Sequence, residues 1–208
     1  MSLKLRLANL LSVVFTPLFA PTYLFALILF YFPFLSTLPD LKAKIIALIL
    51  ILIFTILPPF LLVYALFKLG KVSTLMLDDR KDRIIPQIFA CVNYLFILIF
   101  LIYNYSLDNG LTLSMLAMSI STIVITFINT FWKISTHACG IAGIASIFYF
   151  LTYKYSLHSP TYLIYLMVLI VFCVCVARLY LKAHTFLQIL AGLILGSFVG
   201  WFCFSNFN

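Results

Sequence analysis

Long apolar runs recur along this sequence and limit the folds that it can adopt. Hydrophobic residues make up 65% of its 208 residues, more than a water-soluble domain of this length could bury. Each run is long enough for a helix to cross the hydrocarbon core, which needs about 20 residues. We predict an all-α polytopic transmembrane bundle of six to seven spans, forming one domain over residues 1–208. The runs lie at about 8–34, 44–67, 86–104, 111–130, 138–155, 160–181 and 186–206.

The first run begins like a secretory signal, because Lys4 and Arg6 precede apolar residues. It continues through Phe34 without a clear cleavage pattern, so we interpret it as a membrane span. Pro17 and Pro21 should kink it.

The distribution of the charged residues argues against a nucleic-acid partner. Lys and Arg total 13 against 5 Asp and Glu, but the basic residues lie in short segments between the apolar runs. We expect membrane lipid and an anionic lipid phosphate as partners, and the sequence leaves the oligomeric state open. The five cysteines are odd in number and sit in or beside apolar runs, so we expect packing roles and no disulfide framework.

Three polar stretches fall on one membrane face if each run crosses once. They are residues 68–86, Trp132–His137 and Arg178–His184. Basic and imidazole groups from distant parts of the chain should therefore converge at one end of the bundle.

The third stretch carries the strongest constellation. His184 and Gln188 are four residues apart, and on a helix they share a face with the small residues that follow at Gly192, Gly196 and Gly200. Snorkelling to the headgroups explains Lys182 well and His184 poorly. An ionisable residue inside a membrane segment is a functional candidate.

The second stretch contains Ser135, Thr136 and His137 before a run of small residues. Ser135 or Thr136 can cap the next helix, whose N-terminus would favour a bound phosphate. The simpler interpretation is a helix cap beside a boundary histidine.

The first stretch alternates acids with bases, and a salt-bridged loop is as good an interpretation as a phosphate site; its charged residues are Asp78, Asp79, Arg80, Lys81, Asp82 and Arg83.

Together the three stretches resemble the type 2 phosphatidic acid phosphatase superfamily, over about residues 70–200. The segment Ile134-Ser135-Thr136-His137 stands where that family has Pro-Ser-Gly-His. Arg178, His184 and Gln188 keep the spacing of its last motif, with Ala177 for Ser and Gln188 for Asp. The first motif is matched loosely by Arg83 near Pro86. The chain is similar to divergent small bacterial members.

The resemblance implies a phosphatase that needs no cofactor or metal. His184 would attack phosphorus to form a phosphohistidine, His137 would protonate the leaving oxygen, and Gln188 would hold His184. The phosphoryl oxygens would be bound by Arg178, Ser135, Arg83, Arg80 and Lys81. The family usually places its site on the periplasmic face of the bacterial inner membrane, whereas the basic residues on the proposed site face favour the cytoplasm.

Gln188 is the departure, since an amide accepts a hydrogen bond but supplies no charge. The acids available to replace the missing carboxylate are Asp78, Asp79 and Asp82. The first alternative is a binder or transport component for lipid phosphate without turnover, and the second is a structural subunit whose Gly192–Gly200 stripe packs against a partner. A metal held by His137, Cys139 and His184 is a third, although it lacks the usual ligand spacing.

Overall fold

The fold is all-helical across the described residues. The computed structural model describes residues 2–75, 77, 79–107, 109–155 and 161–206, and within them it has no strand. Among the described residues, seven helical stretches are long and apolar enough to cross a membrane, which confirms the predicted fold class. The α-helices are α1 (Leu3–Val14), α2 (Ala20–Ala26), α3 (Leu41–Lys68), α4 (Ile84–Asn104), α5 (Gly110–Asn129), α6 (Thr136–Lys154), α7 (Thr161–Tyr180) and α8 (Phe186–Asn206).

The helix boundaries follow from caps and prolines. Asp40 accepts a hydrogen bond from the Ala43 N–H at 2.7 Å and starts α3, and Asn109 starts α5 through the Leu111 N–H at 2.9 Å. The first apolar run breaks as predicted at Pro17, where a 3₁₀ turn over Pro17–Phe19 follows the end of α1. Pro21 is accommodated in the first turn of α2, because the N–H that proline lacks has no intrahelical partner there.

The described chain divides into two compact units. One contains the residues up to Ala20 together with Ile134–Asn206, and so includes α1, α6, α7 and α8. The other is Pro21–Lys133, with α3, α4 and α5. We call them the histidine unit and the acidic unit, after the residues that distinguish them. The single-domain organisation stays a prediction.

In the acidic unit, α4 packs against both α3 and α5, and polar side chains link them. Asn129 Nδ2 donates to Gln87 Oε1 at 3.0 Å, and Asn93 Nδ2 donates to the Phe54 carbonyl at 2.9 Å. Such bonds satisfy polar groups that lipid cannot.

In the histidine unit, α8 lies against α6 at glycine contacts. A Cβ added at Gly192 would stand 2.5 Å from the Ser135 carbonyl oxygen, and one at Gly200 would stand 2.8 Å from the Gly143 carbonyl oxygen. At Gly196 the added carbon would overlap the Cys139 carbonyl. The Gly192–Gly200 stripe is thus covered by a helix of the same chain, which removes the surface on which the structural-subunit hypothesis depended.

This packing predicts that Gly196→Ala destabilises the protein. The methyl group would collide with backbone, which cannot move aside like a flexible side chain, so the loss should be on the order of 2 kcal/mol or more. Thermal unfolding of the detergent-solubilised protein would measure it. Ser197→Ala, one position along the same helix and exposed, is the control. Equal midpoints for both variants and the wild type would contradict the close approach.

Candidate active site

The histidine unit carries cations and imidazoles without any side-chain carboxylate. All five acids of the chain lie between Asp40 and Asp108, which places them in the sequence range of the acidic unit. The histidine unit contains five Lys and Arg residues, namely Lys4, Arg6, Lys154, Arg178 and Lys182. Of these, Arg178 is the one whose side chain contacts the same residue as His137.

His184 lies just before α8, whose first residue is Phe186, and not inside a helix as the four-residue spacing suggested. The correction has a local cause, since Thr185 and Gln188 form a reciprocal cap. The Gln188 Oε1 accepts from the Thr185 N–H at 3.1 Å, and Thr185 Oγ1 accepts from the Gln188 N–H at 3.5 Å. The contact between His184 and Gln188 is nevertheless present, with Nδ1 and Oε1 3.1 Å apart.

The Thr185 contact determines the tautomer of His184. Because a backbone N–H only donates, the Gln188 atom that faces it is the amide oxygen. The same oxygen can only accept from His184 Nδ1, so Nδ1 carries the proton and neutral His184 keeps its lone pair on Nε2. The ring is 6% exposed, so it is held in a mostly buried position.

Ser135 joins the start of α6 to the start of α8. It is fully buried, and its hydroxyl accepts from the Ala138 N–H at 3.3 Å, as predicted for a helix cap. Its own N–H donates to the Gln188 carbonyl at 3.2 Å. The stretches that contain His137 and His184 are therefore adjacent in the histidine unit, as the sequence predicted for these two of the three stretches.

His137 and Arg178 meet at one residue, Ser12 of α1. His137 Nε2 lies 3.1 Å from the Ser12 carbonyl oxygen, and Arg178 Nη1 donates to the Ser12 hydroxyl at 3.1 Å. The start of α6 and the end of α7 thus converge on the end of α1.

Sequence reasoning missed Ser12 and Thr185. Thr185 had a signal, since a threonine three residues before a glutamine at the start of an apolar run is a capping box. Ser12 had a weaker one, its position shortly before Pro17, where a helix loses a donor. Nothing in the sequence paired it with residues more than a hundred positions away.

The three basic residues of the first stretch lie in the acidic unit. Arg83 is 8% exposed and its Nε donates to the Leu77 carbonyl at 2.6 Å, while Arg80 Nη1 donates to the Asn129 carbonyl at 3.0 Å. Lys81 is exposed. The contacts of Arg83 and Arg80 support the segment before α4 and the end of α5, and the role of all three residues in phosphate binding stays a prediction.

The proposed replacements for the missing carboxylate are also in that unit. Asp82 accepts from the N–H and the hydroxyl of Ser73 at 2.8 and 2.7 Å, and Asp79 is exposed. Asp78 and His158 lie outside the described residues.

Among the residues that are described, no three His, Cys, Asp or Glu side chains form a group that could hold a metal ion, which contradicts the His137–Cys139–His184 alternative.

This arrangement is suited to bind an oxyanion at the ends of helices. His137 and His184 lie at or just before helix N-termini, where backbone N–H groups favour negative charge. Arg178, near the end of α7, adds a planar donor that matches phosphate oxygens.

The comparison with known families agrees with this chemistry. Residues 114–208 match the family model described as PAP2 superfamily. The match includes Ser135, His137, Arg178, His184 and Gln188, and it begins after the stretch that contains Arg83. No curated protein and no solved structure matches the chain significantly.

The reciprocal cap predicts a stability difference between two substitutions at Gln188. Gln188→Ala removes the acceptor for Thr185 and His184, and should cost about 1 kcal/mol, which lowers the unfolding midpoint by about 2–4 °C. Gln188→Glu keeps an oxygen in place and should unfold near the wild-type temperature. Thermal unfolding in detergent tests both, and an Ala variant as stable as the Glu variant would argue against the cap.

Proposed function

Because residues 114–208 match the family model described as PAP2 superfamily, we propose that this protein is an integral membrane phosphatase that hydrolyses a lipid phosphate or diphosphate through a phosphohistidine. The observation that carries the proposal is the contact between His184 Nδ1 and Gln188 Oε1. Because Gln188 accepts from Nδ1, the lone pair of the buried imidazole lies on Nε2, on the other side of the ring. A nitrogen nucleophile needs such a lone pair.

In the first step, Nε2 of His184 attacks phosphorus and the bond to the leaving oxygen breaks. The proton that this oxygen needs comes from His137. In the second step, water attacks the phosphohistidine, His137 takes a proton from the water, and the P–N bond breaks to release inorganic phosphate. Atoms and charge balance over the cycle, and both imidazoles return to their starting forms.

The phosphoryl oxygens need fixed positive partners, because negative charge on them must be matched throughout the transfer. Arg178 supplies the cation within the histidine unit. The Ser135 hydroxyl, which accepts from Ala138, retains its own proton to donate. We propose Arg83, Arg80 and Lys81 as further phosphate-binding residues.

Gln188 favours one second candidate, a protein that binds lipid phosphate with little or no turnover. A neutral amide orients His184, but does not offset the positive charge that develops as the phosphohistidine forms. In a serine-protease triad, replacing the carboxylate by its amide lowers kcat by about 10⁴. We therefore propose slow hydrolysis as the principal activity.

The apolar helices support a lipid substrate. A helix of about 20 residues is about 30 Å long, so residues at its end reach the headgroup region of a bilayer. Ser12, His137 and Arg178 lie near helix ends, and His184 lies just before α8. We propose that this end faces the periplasm at the inner membrane, as the resemblance implies.

Histidine substitutions test the reaction. His184→Ala should reduce phosphate release from lipid phosphates by about 10³-fold or more, because it removes the nucleophile. His137→Ala should also be strongly impaired, since the leaving oxygen loses its proton donor. Release of inorganic phosphate from a panel of lipid phosphates and diphosphates in detergent micelles measures this.

The third histidine of the chain supplies the control. His158 belongs to neither proposed role, so His158→Ala should retain wild-type turnover. Turnover in His184→Ala equal to that of the wild type would refute the phosphohistidine route. Tight binding of lipid phosphate without release by any variant would favour the non-catalytic candidate.

Gln188→Glu should accelerate the reaction. The glutamate places a carboxylate where the amide oxygen now accepts from His184, so it stabilises the positive charge on the ring while it keeps the contact with Thr185. We expect kcat to rise by at least about tenfold, in the direction that the triad precedent gives. Steady-state kinetics would show it; an unchanged or lower kcat in a folded variant would mean that the charge of this partner does not limit the rate.

A further inference from the structure

We propose that Ser12 is a positioning residue of the phosphate site, and that its carbonyl orients His137 while its hydroxyl holds Arg178. The inference rests on the proposed function, because it assigns Ser12 to the two groups that would act on the phosphate. Ser12 lies on α1, far outside the matched segment at 114–208. The N-terminal helix would therefore complete the site.

The end of α1 explains why the Ser12 carbonyl can accept from a side chain. In a regular helix this oxygen would pair with the N–H of Thr16, four residues later. Here the Thr16 N–H donates instead to the Val13 carbonyl at 3.3 Å, since Pro17 has no N–H to supply that oxygen. The carbonyl of Ser12 is thereby directed to a partner outside the helix, and His137 Nε2 occupies that position.

The contact determines which nitrogen of His137 exchanges protons. A carbonyl only accepts, so Nε2 carries a proton and Nδ1 is the nitrogen that can give a proton to, or take one from, the reacting oxygens. This matches the support of His184, where a neutral amide oxygen also holds one ring N–H. Each of the two imidazoles is thus oriented by an uncharged oxygen.

The hydroxyl acts on Arg178. By accepting from Nη1 at 3.1 Å, it restrains the guanidinium on the side of α1. A long flexible side chain loses less freedom on binding an anion if one of its donors is already held. Ser12 is half-buried, whereas most of α1 is exposed, and α1 packs mainly against α7.

The test compares Ser12→Ala with Ser12→Thr, which keeps the hydroxyl. The matched control is Ser146→Ala, which also loses one interhelical hydrogen bond, from the Ser146 hydroxyl to the Ser197 carbonyl at 2.8 Å. Ser146 lies nine residues after His137, about 13 Å along α6. The probe is inorganic tungstate, a tetrahedral oxyanion, titrated calorimetrically into the full-length detergent-solubilised protein.

We expect Ser12→Ala to weaken tungstate binding about threefold to tenfold, the range for losing one hydrogen bond that supports a charged group. The KM for a lipid phosphate should rise by a similar factor, with kcat changed less. Ser12→Thr should restore both values, and Ser146→Ala should leave them within about twofold of the wild type. If Ser12 had a purely structural role, Ser12→Ala would lower the unfolding temperature without raising KM more than it changes kcat.

Equal or tighter tungstate binding by Ser12→Ala overturns the inference, and so does a failure of Ser12→Thr to restore it. The binding measurement does not depend on turnover. A wild type that binds tungstate through Ser12 but releases no phosphate from any lipid would refute the phosphatase proposal and leave the positioning role intact.

Discussion

The close contact between α6 and α8 sets the geometry of the histidine unit. Three glycines of α8 allow the two backbones to approach to distances that a side chain would prevent. In a membrane, where lipid is as apolar as the helix surfaces, such packing replaces much of the driving force that burial supplies in water. It also brings the first turn of α8 beside the start of α6, where the Ser135 N–H donates to the Gln188 carbonyl. The candidate site is built on that junction.

A second property of the unit is the absence of side-chain carboxylates from its sequence. Without a carboxylate, both histidines are oriented by neutral oxygens, one from the Gln188 amide and one from the Ser12 backbone. This arrangement preserves tautomer and direction while it avoids a negative charge that would repel phosphate. The transition state is stabilised less, because a carboxylate would stabilise the developing imidazolium better than an amide does. Slow turnover with good anion binding is the expected balance.

Much of this was predictable because the signals are local. Apolar runs of fixed length mark the helices, Ser135 marks the start of α6, and the spacing of Arg178, His184 and Gln188 indicates the family that residues 114–208 match. One prediction failed for an equally physical reason, since His184 is not helical and Thr185 and Gln188 cap α8 after it. The glycine stripe does admit a close helix, as its small residues indicated, and because that helix is α6 the alternative of a separate partner is contradicted.

The class of fold and the pairing of His184 with Gln188 could be predicted from local features of the sequence. These follow from hydrophobicity, charge and spacing, which act over a few residues at a time. Three features became visible only once the helices were packed: the contacts of Ser12 with His137 and Arg178, the contact of the Gln188 oxygen with His184, and the covering of the glycines by α6. Those contacts depend on how helices far apart in the chain pack. A hydrogen bond between residues 125 or 166 positions apart produces no pattern in the sequence of either segment.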